Sequence, residues 1–311
     1  MIDLDSIRSA ADRIAPYIIR TSVLSVQLKL GTELFLKPES LQAVGSFKIR
    51  GAFNRMLQLE ADCPGVVAHS SGNHARAIAY AGRLLGIPST IVMPSNAPTV
   101  KRAAVEADGA RIITVGPDSE ERRERALKIS GAEGLVLVPP YDDPDVAAGQ
   151  GTAGLELLED AGPLHRFYCP VSGGGLIAGC ATAFSTLSDT EVIGVEPESG
   201  DDTRRSLAAG KRVSVPPPET IADGLRVRIP GEQTWPVVKT LVSRIETVTD
   251  DEIKEAMVFA LHNLRLVLEP SGAASLAAAL REGEGRSGVL LSGGNVEPEL
   301  LSEVTQTVVP R

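Results

Sequence analysis

Three short turns rich in glycine, serine and asparagine each follow an apolar run that is typical of a β-strand. In a parallel sheet such turns lie at the carboxyl edge, where ligands of open α/β sheets bind. Their small residues let backbone N–H groups approach an anion closely. The pattern predicts one shared ligand cleft, and the alternative is three tight loops without a ligand. The turns are Ser70-Ser71-Gly72-Asn73-His74, Ser172-Gly173-Gly174-Gly175 and Ser292-Gly293-Gly294-Asn295.

The second turn alone is also compatible with a dinucleotide site. Gly173, Gly175 and Ala178 fit the pattern G-x-G-x-x-A after a strand, and Glu196 at the end of the next strand is a candidate ribose ligand. This hypothesis is the weaker one because the turn lies deep in the chain rather than in a first βα unit. It also leaves the other two turns unexplained.

Lys48 is the candidate nucleophile. It lies in Gly45-Ser46-Phe47-Lys48-Ile49-Arg50-Gly51, where Ser46 is the predicted N-cap and Lys48 falls in the first helical turn. A cation there opposes the helix dipole by a few tenths to about 1 kcal/mol, and desolvation by the apolar neighbours lowers its pKa further. A neutral amine near a phosphate cradle is what Schiff-base chemistry with pyridoxal phosphate (PLP) requires. The alternative is an ordinary surface lysine.

Alternating strands and helices position these residues. From residue 65 onward, short β-rich runs alternate with helical patterns, which predicts an α/β fold around a mainly parallel sheet. A helix over residues 75–85 ends at Gly86-Ile87-Pro88, and a helix over 250–264 begins behind Thr249, with Glu252 at capping-box spacing. The predicted strands are 66–69, 89–93, 111–115, 135–138, 167–171, 191–195 and 288–291.

The composition restricts the class of protein. The 311 residues carry a formal net charge of −9, which argues against nucleic acid as a partner. The N-terminus has acids where a secretory signal carries basic residues, and no stretch approaches the roughly 20 apolar residues of a membrane span. Cys63, Cys169 and Cys180 lack ligand-like spacing and are expected to be reduced thiols. We therefore expect a soluble, cytoplasmic protein without a membrane partner.

These motifs resemble those of the serine/threonine dehydratase and serine racemase family. Besides the segment around Lys48 and the three turns, Leu36-Lys37-Pro38-Glu39-Ser40-Leu41-Gln42 carries the resemblance, which covers about residues 36–296. The family has the fold-type II PLP architecture of tryptophan synthase β, with two domains that each contain a mainly parallel twisted sheet flanked by helices. It implies a large cofactor-binding domain (1–65 and 141–311) and a small mobile domain (66–140) that closes on the substrate.

The resemblance also implies how the cofactor is held. Lys48 forms its Schiff base, Phe47 and Gly224 sandwich its ring, and Asn73 hydrogen-bonds its 3-hydroxyl. Ser292 faces the pyridine nitrogen; because a hydroxyl does not keep that nitrogen protonated, elimination is favoured over transamination. The residues implied for the phosphate are Ser172, Gly173, Gly174, Gly175 and Leu176, and those for the substrate carboxylate are Ser70, Ser71, Gly72, Asn73 and His74.

The activity that the resemblance implies is that of an L-threonine or L-serine ammonia-lyase (dehydratase), in which α,β-elimination gives a 2-oxo acid and ammonia. Lys48 is the expected base. Ser71 keeps a serine or 3-hydroxyaspartate racemase with side dehydratase activity as an alternative, because related racemases use a serine there as a second catalytic residue. A PLP-binding relative without turnover is a further alternative, against which the intact Lys48, Asn73 and Ser292 argue. The β-substituent of the substrate stays open.

An acidic loop follows the strand at 191–195. The run Glu196-Pro197-Glu198-Ser199-Gly200-Asp201-Asp202 resembles the divalent-metal loop of serine racemases. That likeness implies Glu196, Asp202 and the Gly200 carbonyl as ligands of Mg²⁺ or Ca²⁺, which prefer oxygen donors. A solvated acidic loop without metal is the alternative. The family further implies an amino-acid substrate as partner and a homodimer or higher homo-oligomer.

Overall fold

The computed structural model describes residues 2–29, 31–70, 72–97, 99–117, 119–281 and 283–307. Strands and helices alternate along most of the chain, and the predicted α/β fold is confirmed. Ser71, one of the two predicted catalytic residues, lies outside the described residues. The strands are β1 (Leu24–Lys29), β2 (Thr32–Pro38), β3 (Val66–His69), β4 (Ser89–Pro94), β5 (Arg111–Val115), β6 (Val136–Leu137), β7 (Arg166–Pro170), β8 (Glu191–Pro197), β9 (Arg244–Val248) and β10 (Gly285–Leu291).

These strands form two sheets. A six-stranded sheet has the spatial order β1–β2–β10–β7–β8–β9, and a four-stranded sheet has the order β5–β4–β3–β6. Only the pair β1 and β2 is antiparallel among the described strands, and every other neighbouring pair is parallel. The carboxyl ends of the parallel strands therefore share one edge in each sheet, which is where the three turns lie.

Helices connect the parallel strands. The α-helices are α1 (Leu4–Ile14), α2 (Lys48–Met56), α3 (Asn73–Leu85), α4 (Thr99–Ala107), α5 (Ser119–Glu133), α6 (Pro144–Ala161), α7 (Gly175–Leu187), α8 (Asp202–Ala209), α9 (Trp235–Leu241), α10 (Asp250–Phe259), α11 (Pro270–Ala279) and α12 (Pro298–Thr307).

The core is divided by the faces of the two sheets. Phe167 and Cys169 of β7 pack with residues of α6 and α7, whereas Tyr168 between them packs with residues of α10 and α11. The smaller sheet repeats this arrangement, since Val66 of β3 faces α2 and α3 while Val67 faces α5. Both sheets are thus covered by helices on two faces, as parallel sheets are.

A buried charge network fixes α2, the helix that begins with Lys48. The fully buried guanidinium of Arg50 pairs with Glu39 and with Glu156, each at 2.7 Å. Lys37 of β2 pairs with the same Glu156 at 2.7 Å. Buried charges persist only when they are paired, so this network ties α2 to the end of β2 and to α6.

All seven predicted strands are present, β3 and β5 with the predicted bounds and the others with an end shifted by one to three residues, whereas β1, β2 and β9 were not predicted. The helix predicted at 75–85 begins at Asn73 and ends, as expected, at Gly86, whose φ is +68°. The capping box of Thr249 and Glu252 is present. The helix predicted at 250–264 is α-helical to Phe259 and then widens into a π-helical turn, Ala260–Leu264.

The division into domains at residues 65 and 140 stays a prediction, although all strands of the smaller sheet lie between these positions. The three cysteines, which belong to the described part of the chain, are free thiols, and Cys169 and Cys180 are buried. Within the described ranges, none of the helices combines the length and apolar character needed to cross a bilayer.

Candidate active site

Lys48 is the first residue of α2, and its amine is half-buried. The Nζ atom donates a hydrogen bond to the Pro140 carbonyl at 2.7 Å and lies 4.8 Å from the centre of the Phe47 ring. Desolvation lowers the pKa of Lys48 to about 8, and the nearby charge of Glu269 opposes this shift only in part. About a tenth of this amine is therefore neutral at pH 7, far more than for an unshifted lysine.

The predicted N-cap Ser46 is wrong. Phe47 occupies the N-cap position with helical backbone angles, and no side chain of the described residues caps this helix. Ser46 instead forms a β-bridge with Gly293. The backbone of Ser46 is paired with the third turn. The helix therefore begins at Lys48, one residue later than predicted.

The second turn lies at the start of α7. Ser172 has a φ of +53° and Gly174 a φ of +91°, so the chain reverses sharply before the helix begins at Gly175. The first N–H groups of a helix have no partner within it, and here they belong to Gly175 and Leu176. Tyr141 lies against this turn: a Cβ on Gly173 would come within 2.3 Å of its ring. The turn therefore has free backbone N–H groups of the kind that bind anions, and it packs closely against an aromatic ring.

The first turn leads into α3, which begins at Asn73. The Ser70 hydroxyl accepts a hydrogen bond from the Gly72 N–H at 3.2 Å, and in the described ranges no side chain caps the helix. His74 is buried and its Nε2 lies 2.9 Å from the Val138 carbonyl. Burial, reinforced by the charge of Lys48, lowers the pKa of His74 to about 3, so its imidazole is neutral.

The third turn is pinned to the segment before Lys48. The Phe47 N–H donates to the Ser292 carbonyl at 3.1 Å, and the Gly294 N–H donates to the Gly45 carbonyl at 2.9 Å. The buried Ser292 hydroxyl donates to the Ser271 carbonyl at 3.3 Å. These bonds bring the predicted ring-nitrogen partner, Ser292, beside the candidate nucleophile.

Gly224 and Ser172 are linked across the same cleft. The Ser172 hydroxyl donates to the Gly224 carbonyl at 2.8 Å, and the Gly224 N–H donates to the Ser271 hydroxyl at 2.9 Å. Ser271 therefore connects the residue predicted beneath the cofactor ring with Ser292. The structure brings every described residue of the predicted cofactor site to one cleft, while their roles toward the cofactor stay predictions.

Glu269 is a buried carboxylate that the sequence did not assign to the site. It precedes Pro270 at the start of α11 and accepts a hydrogen bond from Asn73 Nδ2 at 2.5 Å. Burial, with the charge of Asp223 added, raises the pKa of Glu269 to about 7. Its place before Pro-Ser-Gly fits an ordinary helix start equally well, so sequence alone could not select it.

The predicted metal ligands lie together, away from Lys48. Both oxygens of the buried Glu196 carboxylate accept backbone N–H bonds, from Thr203 and Arg204 at 3.0 Å each. Asp202 is buried, and its Oδ2 has no hydrogen-bond partner among the described residues. Burial, with the charge of Asp201 added, raises the pKa of Glu196 to about 7, and burial with the charge of Glu196 raises that of Asp202 to about 8.

The described residues contain no cluster of three or more His, Cys, Asp and Glu side chains that could hold a metal. Two carboxylates and one carbonyl, as predicted, fall below that number. The dinucleotide hypothesis loses support here, because the Glu196 carboxylate is engaged by the start of α8 rather than available to a ribose at the sheet edge.

Comparisons with known proteins show the family of this chain. A family model described as "Pyridoxal-phosphate dependent enzyme" matches residues 14–293. The chain is similar to the L-threo-3-hydroxyaspartate ammonia-lyase of Saccharomyces cerevisiae, with 42% identity over 298 residues that cover 93% of this chain and 91% of the relative. It is also similar to a serine racemase of Oryza sativa, with 43% identity over 316 residues that cover 97% and 93%.

A solved structure extends the likeness to the fold. The crystal structure of a threonine deaminase from T.th. aligns with a TM-score of 0.90 at 44% identity and covers 95% of this chain and 99% of that chain. The chain belongs to the family of pyridoxal-phosphate dependent enzymes. Its fold is the tryptophan synthase β-like fold-type II architecture, and the predicted kinship with serine/threonine dehydratases and serine racemases is confirmed.

Proposed function

We propose that this chain is a PLP-dependent ammonia-lyase that converts a β-hydroxy amino acid, L-threonine or L-serine, into a 2-oxo acid and ammonia. The observation that carries the proposal is the lowered pKa of Lys48, at the start of a helix that is pinned to the Ser292 turn. Relatives named as ammonia-lyase and threonine deaminase support the same reaction type.

The residues of the cleft fit the cofactor. Lys48 would hold it covalently, the amides at the start of α7 would bind its phosphate, and Asn73, Phe47, Gly224 and Ser292 would surround its ring. When bound, pyridoxal phosphate withdraws electrons from the substrate and makes the α-proton acidic. The fit rests on the partly neutral amine of Lys48, the three consecutive glycines of the second turn and the buried hydroxyl of Ser292.

The chain's own groups supply proton transfer and orientation. Lys48 Nζ would take the α-proton of the bound substrate, and its lowered pKa would let it return that proton near neutral pH. The uncapped N–H groups at the start of α3 would bind the substrate carboxylate at the positive end of that helix. The imidazole of His74 stays neutral, so its ring adds no positive charge at the carboxylate site.

The test is a 2-oxo acid assay over L-threonine, L-serine, phenylserine and 3-hydroxyaspartate. We expect product from at least one hydroxy amino acid with the wild type, and a loss of roughly three orders of magnitude in Lys48→Ala, together with the visible absorption band of the bound cofactor. Lys128→Ala is the control, because this side chain is 71% exposed on α5. Product and band both intact in Lys48→Ala would refute the proposal.

A racemase is the second candidate, supported by the serine at position 71 and by the rice relative named serine racemase. Chiral analysis of L-serine incubations separates the two activities. More D-serine than pyruvate would make racemisation the main activity of the chain. In that case Ser71→Ala should abolish D-serine formation and leave pyruvate formation in place, because only racemisation requires a second proton carrier.

We further propose that Glu196, Asp202 and the Gly200 carbonyl hold Mg²⁺ or Ca²⁺. The support is the unpartnered buried Oδ2 of Asp202 beside the buried carboxylate of Glu196, because oxygen donors of this kind suit both ions. Metal-depleted protein should gain thermal stability on adding either ion, since a ligand of the folded state raises Tm.

The matched variants are Asp202→Asn, which should lose this gain in Tm, and Glu198→Gln, which should keep it because Glu198 lies in the same loop but is exposed. An unchanged Tm of the wild type at millimolar Mg²⁺ and Ca²⁺ would rule out the metal.

A further inference from the structure

Four side chains form a hydrogen-bonded row across the mouth of the cleft. Arg76 Nη1 donates to Asn295 Oδ1 at 3.0 Å, Asn295 Nδ2 donates to Asn73 Oδ1 at 2.7 Å, and Asn73 Nδ2 donates to Glu269 Oε1 at 2.5 Å. Asn295 Nδ2 also donates to the Val44 carbonyl at 2.8 Å. The row therefore joins α3, the third turn and the segment that leads into Lys48.

The ends of this row determine the direction of both amides. A carboxamide has nearly the same shape in either orientation, and only its partners distinguish oxygen from nitrogen. The Arg76 guanidinium can only donate and the Val44 carbonyl can only accept, so Asn295 must turn its oxygen to Arg76 and its nitrogen to Val44. The same Asn295 nitrogen also donates to Asn73, so Asn73 must accept this hydrogen bond with its oxygen.

We propose that Asn295 is a positioning residue that keeps the Asn73 carboxamide turned so that its Nδ2 hydrogens, and not its oxygen, face the cofactor side of the cleft. One Nδ2 hydrogen is used by Glu269, and the second is left for the ring oxygen that Asn73 is predicted to bind. The inference rests on the cofactor site of the proposed function. Asn295 would act through Asn73 and not on the reacting atoms.

The position of Asn295 is closely defined by its neighbours. A Cβ on Gly45 would lie 2.4 Å from Asn295 Oδ1, so the side chain is packed directly against that glycine, whose φ is +72°. The row spans the two sheets, because Asn73 and Arg76 belong to the helix after β3 while Asn295 follows β10. The orientation of Asn73 therefore depends on a residue from the opposite side of the cleft.

The decisive variant is Asn295→Asp, which keeps the shape and removes both donors. Asn73 can then reach residue 295 only by turning its nitrogen toward it, which presents its oxygen to the cofactor. We expect a shifted visible absorption maximum of the bound cofactor and a cofactor Kd that is roughly 10- to 100-fold higher, the range for a lost hydrogen bond to a charged group. Asn263→Asp is the control, because this exposed asparagine bonds to the Phe259 carbonyl within its own helix.

A double-mutant cycle with Asn73→Ala separates positioning from general support. If Asn295 acts through Asn73, Asn295→Asp should change neither the absorption maximum nor the cofactor Kd once Asn73 is alanine. Equal effects in both backgrounds, or a wild-type spectrum in Asn295→Asp, would overturn the inference. Should Asn295→Asp fail to fold, Asn295→Ala is measured in the same cycle with the same criteria.

The outcome is distinct from that of the proposed function. A wild-type protein that shows no cofactor band disproves the cofactor site itself. A wild-type protein with band and 2-oxo acid formation, but with the band of Asn295→Asp unchanged, disproves only the role of Asn295.

Discussion

At the scale of single residues, the pKa of Lys48 has a measurable consequence. The folded protein lowers this pKa from 10.5 to about 8, chiefly by desolvation. Only the neutral amine attacks an aldehyde, so the rate of cofactor uptake by the cofactor-free protein should rise about tenfold per pH unit below pH 8 and level off above it. Absorbance recorded after mixing at each pH measures this profile.

An ordinary lysine would give a different profile. Its uptake rate would keep rising toward pH 10.5, the unshifted value for lysine. A rise that continues past pH 9 in the wild type would therefore contradict the burial of Lys48. Lys128→Ala, altered only on the exposed face of α5, should reproduce the wild-type profile.

The sequence predicted a lowered pKa for Lys48 from its apolar neighbours and its place at a helix start, and desolvation by burial is the chief cause of the shift. The prediction of Ser46 as the N-cap was wrong because its backbone pairs with Gly293, which is far away in the sequence. The hydrogen bonds of Asn295 and Arg76 could not be predicted for the same reason. The bond between Asn295 and Asn73 joins positions 222 residues apart, and no local pattern records such a partner.

At the scale of elements, α6 and α7 approach closely through glycines. A Cβ on Gly179 of α7 would lie 2.2 Å from the Ala147 carbonyl and 2.6 Å from the Gly151 nitrogen, both in α6. These are backbone atoms that cannot turn aside. Gly179→Ala should therefore lower the free energy of unfolding by about 1–3 kcal/mol, the range for overpacking, as measured by urea denaturation.

Gly131→Ala provides the matched comparison. Gly131 is also helical, in α5, and a Cβ there would have no heavy atom within 4 Å among the described residues. Alanine should raise the free energy of unfolding by roughly 0.5–1 kcal/mol, because it costs less conformational entropy in a helix than glycine does. Equal destabilisation by both changes would mean that helix contact is not the cause.

Element types were predictable where the hydrophobic pattern was strong. Parallel strands such as β3 and β7 are buried on both faces and read as continuous apolar runs. In contrast β9, Arg244–Val248, has mixed polarity and is only partly buried, so it gave no such signal. The π-helical turn after α10 was not predictable either, because periodicity cannot distinguish it from a continued α-helix.

At the scale of the whole molecule, an ion pair beside the cleft joins the two sheets, and the charges of both its members act on Glu269. Lys101 lies in α4, the helix that connects β4 and β5 of the four-stranded sheet. Its Nζ lies 3.0 Å from Asp223 and 3.9 Å from Glu297. Its side chain is only 17% exposed, so the pair is partly shielded from salt. Lys101→Met should therefore loosen the contact between the sheets.

The measurement is hydrogen exchange. Losing about 1 kcal/mol of contact energy makes local opening of the structure around α4 about fivefold more frequent. Backbone amides near α4 should therefore exchange about fivefold faster in Lys101→Met. Lys128→Met lies in the same part of the fold and removes only a contact within α5. Unaltered exchange near α4 would show that the pair does not hold the sheets together.

The arrangement of the chain into two sheets was predicted from the resemblance to the family and not from local sequence patterns. The two-sheet architecture was predicted and is confirmed. A homodimer and a cytoplasmic location stay predictions, because both depend on surfaces and surroundings outside a single chain.

The crossover after β6 has a final consequence. The carbonyl oxygens of Val138 and Pro140 receive hydrogen bonds from His74 and Lys48, and Tyr141 lies on the glycine turn just beyond. A ligand that engages Lys48 would remove the bond to Pro140 and leave the one to His74. Binding in the cleft would then weaken one of the two hydrogen bonds that hold the segment between β6 and α6.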